Sequence, residues 1–287
     1  MREKAMATRD PQDPEKQLAA LLQGGIRIPP QPAVLREIER LMASPGNGTA
    51  GIARLIGQDV GLAAAVFKVV NSPFYGLGKP VESVAQAILL LGVNQLVNIV
   101  KAASLRQAVG GHELAYEKFW ERSQEIASLA LIVANLQISA CNVQPDQAYL
   151  AGLFHECGVP VLMERFPDYC KACRLGEGNH WPDVHEEDRR FNTDHAVVGY
   201  LLAHHWKLPG FICEAVRHHH DRLHVGHAAL TMVSILQMAR HLHARLHDLP
   251  QPWWDEAREQ VLEEIGVSQD GQMEFEEEAL DLFRQQS

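Results

Sequence analysis

The sequence predicts an all-α protein built as two helical lobes, and three observations predict it. Apolar residues recur at helical spacing along nearly the whole chain, and stretches that alternate apolar and polar are almost absent. Clusters of Pro, Gly and Asn punctuate the chain at intervals of one short helix. A chain of 287 residues is long enough for one large domain or two lobes with real cores. No window approaches the roughly 18 uninterrupted apolar residues of a membrane-spanning helix, so no membrane contact is expected.

Residues 1–17 are polar and charged and lack the apolar stretch of a signal peptide. They are expected to be a disordered leader of a cytoplasmic protein. Residues 18–110 are expected to form an N-terminal lobe of about five short helices. Leu18 to Leu22 opens it, and Ile28-Pro-Pro-Gln-Pro32 then breaks the chain and sets Pro32 beside a helix N-terminus. The next helix carries Val34, Leu35, Ile38, Leu41 and Met42 as one apolar stripe. Pro45-Gly46-Asn47-Gly48 ends it, and Thr49 is expected to cap a short helix to Ile56. Asp59 would cap the following helix, whose Leu62, Ala65, Val66, Val69 and Val70 point to a core. Asn71-Ser72-Pro73 closes it and Tyr75 to Pro80 is a turn-rich link. Ser83 opens Val84 to Leu91, Gly92 interrupts, and Asn94 opens a helix to about Val109.

Gly110-Gly111-His112-Glu113 marks the expected boundary to a second helical lobe, residues 111–250. One long helix is predicted from Tyr116 to Ala140, burying Phe119, Trp120, Ile126, Leu129, Ile132, Val133 and Leu136. Pro145 starts another, with Ala148, Leu150, Ala151, Leu153 and Phe154 on its apolar face. Further helices are expected near 159–175, 194–206, 209–220 and 226–245, with Gly176 to Arg190 read as a polar loop. A C-terminal extension, residues 251–287, carries a helix near 253–265. It ends in an acidic amphipathic helix, Gln272 to Gln285, with Phe275, Leu280, Leu282 and Phe283 for docking.

The net charge of −10 argues against nucleic-acid binding, which needs basic surface to displace counterions. Fifteen histidines would turn that charge positive if all were protonated. Five cysteines form an odd set without disulfide spacing, as in a reduced cytosolic protein. Cys170 and Cys173 form a C-x-x-C, but no second pair or βαβ context supports zinc or redox chemistry. They are expected as two thiols on one helix.

Histidine placement is the most informative feature. Eleven of the fifteen lie between His195 and His247, including the run His218-His219-His220. Imidazole is the commonest metal ligand, although helical neighbours about 100° apart allow at most two of that run to share a pocket. His155-Glu156 matters more, because it ends the apolar helix Tyr149 to Phe154 where Cys157-Gly158 must turn. A His-carboxylate pair at the end of a buried helix suits a site that pins a cation.

Ala151-Gly-Leu-Phe-His-Glu-Cys-Gly158 is similar to the HD-superfamily signature A-G-L-L-H-D-I-G, with Glu156 in place of the aspartate. Asn71-Ser-Pro-Phe-Tyr-Gly76 and the segment Val84 through Leu91-Gly92 to Asn94 resemble the N-S-x-F-Y-G and A-I-x-L-L-G-x-x segments of its HDOD branch. The proline-rich entry at Ile28, Asp194-His195 through Gly199 and Leu208-Pro209 to His220 follow in the order of that family. The resemblance runs from about Ile26 to His247 and implies that the second lobe is an HD-like helical bundle.

In that superfamily a histidine of the long helix, the His-Asp pair and later His and Asp residues hold one or two metals for phosphoester hydrolysis. Carried over, the resemblance implies a degenerate site with no catalytic residues. Arg122 stands where the long helix offers a histidine, Glu156 replaces the aspartate, and Arg240 stands where a final aspartate is expected. Each arginine is a permanent cation. At about 4 Å and an effective dielectric near 20, each unit-charge pair costs around 4 kcal/mol, doubled for a divalent ion. His155, Glu156, His195, His218 and His219 remain as a residual ligand set for a divalent metal such as iron or manganese. The competing expectation is a buried network in which Arg122 or Arg240 pairs with Glu156, with no cofactor.

The resemblance thus implies a non-catalytic regulatory module of bacterial signal transduction acting on a protein partner in trans. The Gln272–Gln285 helix, Trp253-Trp254 and the cleft between the lobes are candidate surfaces. The alternative is a metal-dependent phosphohydrolase or phosphodiesterase. The related HD-GYP branch cleaves cyclic di-GMP, but Pro182-Asp183 and Arg189-Arg190 do not supply its G-Y-P element. A nucleotide is a third ligand class, since two arginines in a retained pocket suit a phosphate. Oligomeric state is left open.

Overall fold

The computed structural model describes residues 19, 21–43, 48–71, 79–109, 114–175, 181–221, 225 and 227–285. The leader, the turn segment Ser72 to Gly78 and the Gly110 to Glu113 boundary lie outside them. Among the described residues every regular element is helical, so the fold is all-α as the periodicity predicts.

The first five helices are α1 (Ala33–Met42), α2 (Gly48–Gly57), α3 (Val60–Val70), α4 (Val84–Leu91) and α5 (Val93–Val109). The two expected caps form, with the Asp59 side chain accepting from the Leu62 N–H at 3.0 Å and Ser83 from Gln86 at 3.2 Å. Thr49 does not cap, because α2 already begins at Gly48. Asn71 closes the link after α3 by a two-way clasp, donating to the Val81 carbonyl at 3.0 Å and accepting from its N–H at 2.6 Å. The predicted stripes supply the buried faces through Leu35, Ile38, Leu62, Val66 and Val70, but Met42, placed on the first stripe, is exposed at the end of α1.

The second group is α6 (Leu114–Leu136), α7 (Ile138–Cys141), α8 (Pro145–Phe154), α9 (Gly158–Arg165) and α10 (Tyr169–Ala172). It continues with α11 (Val184–Phe191), α12 (His195–His205), α13 (Gly210–His218) and α14 (His227–Leu246). Three expectations are corrected. The long helix to Ala140 breaks at Gln137, and the one near 159–175 breaks before Pro167, which cannot donate to a helical ladder. The loop expected from Gly176 to Arg190 contains α11, capped by Asp183, which accepts from the N–H groups of His185 and Glu186.

A continuous apolar core runs from Ile26 to Phe283 through both groups, and Asn98 on α5 donates to Asp146 on α8 across it at 2.7 Å. The last helices, α15 (Trp254–Ile265) and α16 (Gln272–Arg284), lie on α14 and α6. Their Trp254, Ile265, Phe275, Leu280 and Phe283 are buried. Of the two outcomes open for the amphipathic C-terminal helix, a partner surface or docking on the protein's own core, these residues take the second. Cys170 and Cys173 sit on and after the single turn α10, the other three cysteines are buried, and none of the five is in a disulfide.

Two glycines set how the site is assembled. A Cβ on Gly152 of α8 would lie 2.6 Å from the Cα of Ala127, so α8 meets α6 backbone to backbone. A Cβ on Gly158 would lie 2.1 Å from the His195 carbonyl oxygen and 2.8 Å from the Gly199 nitrogen, so α9 starts against the first turn of α12. Both clashes are with backbone, which cannot swing aside. Gly158→Ala is therefore expected to cost about 1–3 kcal/mol or more, read as a lower urea midpoint in a protein that still folds all-helical by circular dichroism.

Candidate functional site

The sharp turn between α8 and α9 is made by His155, Glu156 and Cys157, all fully buried. The His155 Nδ1 lies 2.6 Å from the Gly152 carbonyl, which can only accept, so Nδ1 carries the proton and Nε2 presents a lone pair. That Nε2 is 3.6 Å from Glu156 Oε1, and neither atom has a hydrogen-bond partner. Glu156 Oε2 accepts from the Arg122 guanidinium on α6, which lies 4.2 Å over the ring of Trp181. Burial opposes the charge on Glu156, but the guanidinium groups of Arg122 and Arg240 outweigh it and hold the carboxyl well below its usual range. Burial also pulls the Arg240 guanidinium down to about 10, which leaves it charged at neutral pH.

Opposite this pair, α12 begins at His195, whose Nδ1 donates to Glu187 Oε2 at 2.6 Å. The same carboxylate accepts from the His195 backbone N–H at 3.1 Å and from the Tyr169 hydroxyl. His195 Nε2 therefore faces inward, 2.8 Å from His220 Nε2 and 3.4 Å from His219 Nε2. His219 donates from Nδ1 to the Val216 carbonyl at 2.7 Å, which turns its Nε2 to the same point. Arg240 on α14 donates to the His219 carbonyl at 3.0 Å and lies 5.1 Å over Trp253.

The structure thus brings together His155, Glu156, His195 and His219 with Arg122 and Arg240, but not His218. Helix α13 ends at His218, and the turn beyond it aims His219 and His220 inward. His218 lies 3.7 Å from Glu214 and 3.6 Å from Asp221, on the outer side. The expected place of His218 is held by His220. Glu187, Tyr169 and Trp181 were also missed. For Glu187 a signal existed, since Asp183 followed by Glu186 is a helix-start pattern that would have put a helix just before His195.

Ligand atoms of Glu156, His195, His219 and His220 all lie within 4.8 Å of one another. Imidazoles of His155, His195 and His219 are oriented by an Nδ1–H bond to a carbonyl or carboxylate, the outer arrangement that aims metal ligands. Two buried acceptors without a donor, His155 Nε2 and Glu156 Oε1, face each other. The donor set fits one divalent ion. Arg122 and Arg240 lie beside this cluster, and Arg122 already engages one oxygen of Glu156.

The family model of the HDOD domain matches residues 28–222. An uncharacterised protein of Treponema pallidum (strain Nichols) is 24% identical over 213 residues, which are 74% of this chain and 41% of the relative. The chain thus spans well under half the length of that relative. An HDOD domain protein of unknown function from Geobacter sulfurreducens has a similar structure, with TM-score 0.64, 24% identity and 94% of this chain on 99% of that one. A protein from Shewanella amazonensis SB2B, provisionally assigned as a metal-dependent phosphohydrolase, gives TM-score 0.68 at 18% identity, over 95% and 97% of the two chains. A provisionally assigned signal transduction protein from Marinobacter aquaeolei VT8 gives 0.70 at 23%, with 95% of this chain on 63% of that one. These likenesses show the shared all-helical fold.

The ion pair and the histidines make separable predictions. Arg122→Ala leaves Glu156 buried without its cation and is expected to cost about 3–5 kcal/mol in urea unfolding. The double replacement Arg122→Met with Glu156→Gln is expected to recover most of that loss. For pH, burial lowers the pKa of His155, His219 and His220 below the ordinary 6.5. The unfolded chain then binds protons that the folded chain refuses, so stability falls as pH drops below about 6.5. Burial also opposes the charge on His195, but Glu187 outweighs it and raises its pKa, so its contribution is full below 6.5 and lost above. Three lowered groups against one raised predict a lower urea midpoint at pH 5.5 than at pH 7.5 in metal-free protein, with a smaller drop in His220→Gln.

Proposed function

The chain belongs to the HDOD domain family, and on that premise we propose that it is a non-catalytic regulatory module of signal transduction, acting through protein contacts. The observation that carries this reading is the Arg122–Glu156 ion pair in the place where hydrolytic relatives of the superfamily bind metal. A carboxylate committed to a guanidinium is a poorer ligand, and two permanent cations beside the cluster oppose a divalent ion. The name of the Marinobacter relative, a signal transduction protein, is in keeping with the reading. With the C-terminal apolar face buried, the surface assigned to a partner is the N-terminal group. There the fold leaves Leu89 of α4 85% exposed and Val60 of α3 83% exposed.

A second reading, a metal-dependent phosphohydrolase, is favoured by one observation: ring nitrogens of His195, His219 and His220 converge with a carboxylate oxygen of Glu156 within 4.8 Å. Bound there, an ion would supply a Lewis acid and an activated water. Glu156, His195, His219 and His220 would hold it, while Glu187 and the Val216 carbonyl fix the rings. The name of the Shewanella relative points the same way.

Purification under metal-replete anaerobic conditions, elemental analysis and assays on cyclic dinucleotides and a generic phosphodiester separate the two. The regulatory reading expects no turnover. Turnover abolished in His155→Ala or His195→Ala would overturn it.

A further inference from the structure

A second cluster lies on the α6–α14 interface, outside the HD-type site. His243 lies in the last turn of α14 and His247 is the first residue beyond it, its backbone N–H still bonding the His243 carbonyl at 3.2 Å, so the two rings fall on one side, one above the other. Both rings reach the same carboxylate oxygen across the interface. His247 Nε2 is 2.7 Å from Glu125 Oε2 of α6, and His243 Nε2 is 3.1 Å from it. The two ring centroids are 4.6 Å apart, and one ligand atom from each of the three residues falls within a 4.8 Å span.

We propose that Glu125, His243 and His247 form a zinc-class divalent cation site. Two imidazoles at i and i+4 with a carboxylate from a neighbouring helix are three ligands of the kind a borderline divalent ion takes. Bonds of about 2.0–2.2 Å in a tetrahedral arrangement place such ligand atoms roughly 3.3 Å apart. The His243–Glu125 distance of 3.1 Å is near that value, while the His247–Glu125 distance of 2.7 Å is that of a hydrogen bond, which the ion would replace as the exposed His247 ring moves out. Burial is graded: the His243 side chain is 6% exposed, Glu125 34% and His247 42%. The inner ring is thus held by the protein while the outer two ligands leave solvent access for a water in the fourth position.

The position gives the ion a role distinct from catalysis. Glu125 lies one helical turn beyond Arg122 on α6, and His243 one turn beyond Arg240 on α14. An ion at this site pins together the two helices that carry both arginines of the buried cluster, without touching it.

The test is cobalt(II) titration of the full chain, with zinc(II) competition and elemental analysis. Wild type is expected to bind one equivalent here, with d–d absorption of a four-coordinate nitrogen and oxygen site. His247→Ala and Glu125→Gln, both at the surface, should weaken that binding at least tenfold, while His219→Ala in the buried cluster should keep it. Unchanged binding in His247→Ala, absence of the absorption in wild type, or its loss in His219→Ala alone would each overturn the proposal.

Discussion

The buried pair of Arg122 and Glu156 is the constraint around which the centre of this molecule is arranged. A carboxylate with no solvent exposure is tolerable only beside a cation, and the cation must come from an element that cannot drift away. Helix α6 meets that requirement because Gly152 lets α8 approach the backbone at Ala127, which brings Arg122 and the α8–α9 elbow to a fixed separation. The guanidinium is then laid against Trp181 and the imidazoles fill the remaining walls. Reading outward from that pair explains why so many polar groups are buried in one place and why nearly all of them have a fixed orientation.

The same pair separates fold from chemistry. The helical bundle is that of the family, yet two permanent cations, Arg122 and Arg240, stand beside the cluster of candidate metal ligands. The imidazoles of His155, His195 and His219 are nevertheless held as ligands are held, each with Nδ1 committed and Nε2 turned inward. An arrangement of this kind is at once a rigid polar core and a weak invitation to a cation, and the balance lies in a single carboxylate oxygen.

Most helices were legible in the sequence because their apolar positions follow one stripe and their starts carry caps such as Asp59 and Ser83. The breaks at Gln137 and Pro167 were not, since each side continues the same apolar pattern and tertiary packing decides the bend. His155, Glu156, His195 and His219 were legible through the motif and the histidine crowding. His220 was not, because choosing which members of a three-histidine run face inward requires knowing where α13 stops. Glu187 was hidden for a different reason. Helix α11 has an almost wholly polar sequence, and only the cap at Asp183 marks it.

That helix has a consequence for dynamics. Glu187 is its one fully buried residue, so α11 is tied to the core mainly by three hydrogen bonds on one carboxylate, beside the ring contacts of Phe191 with Phe166 and Tyr169. Segments with so little apolar burial open far more often than the core they cover. When α11 lifts, His195 loses the acceptor that sets its tautomer and gains a path to water. The imidazole cluster is therefore flanked by a helix with little apolar burial of its own, and opening of that helix is a route by which protons, ions or small anions would exchange with His195.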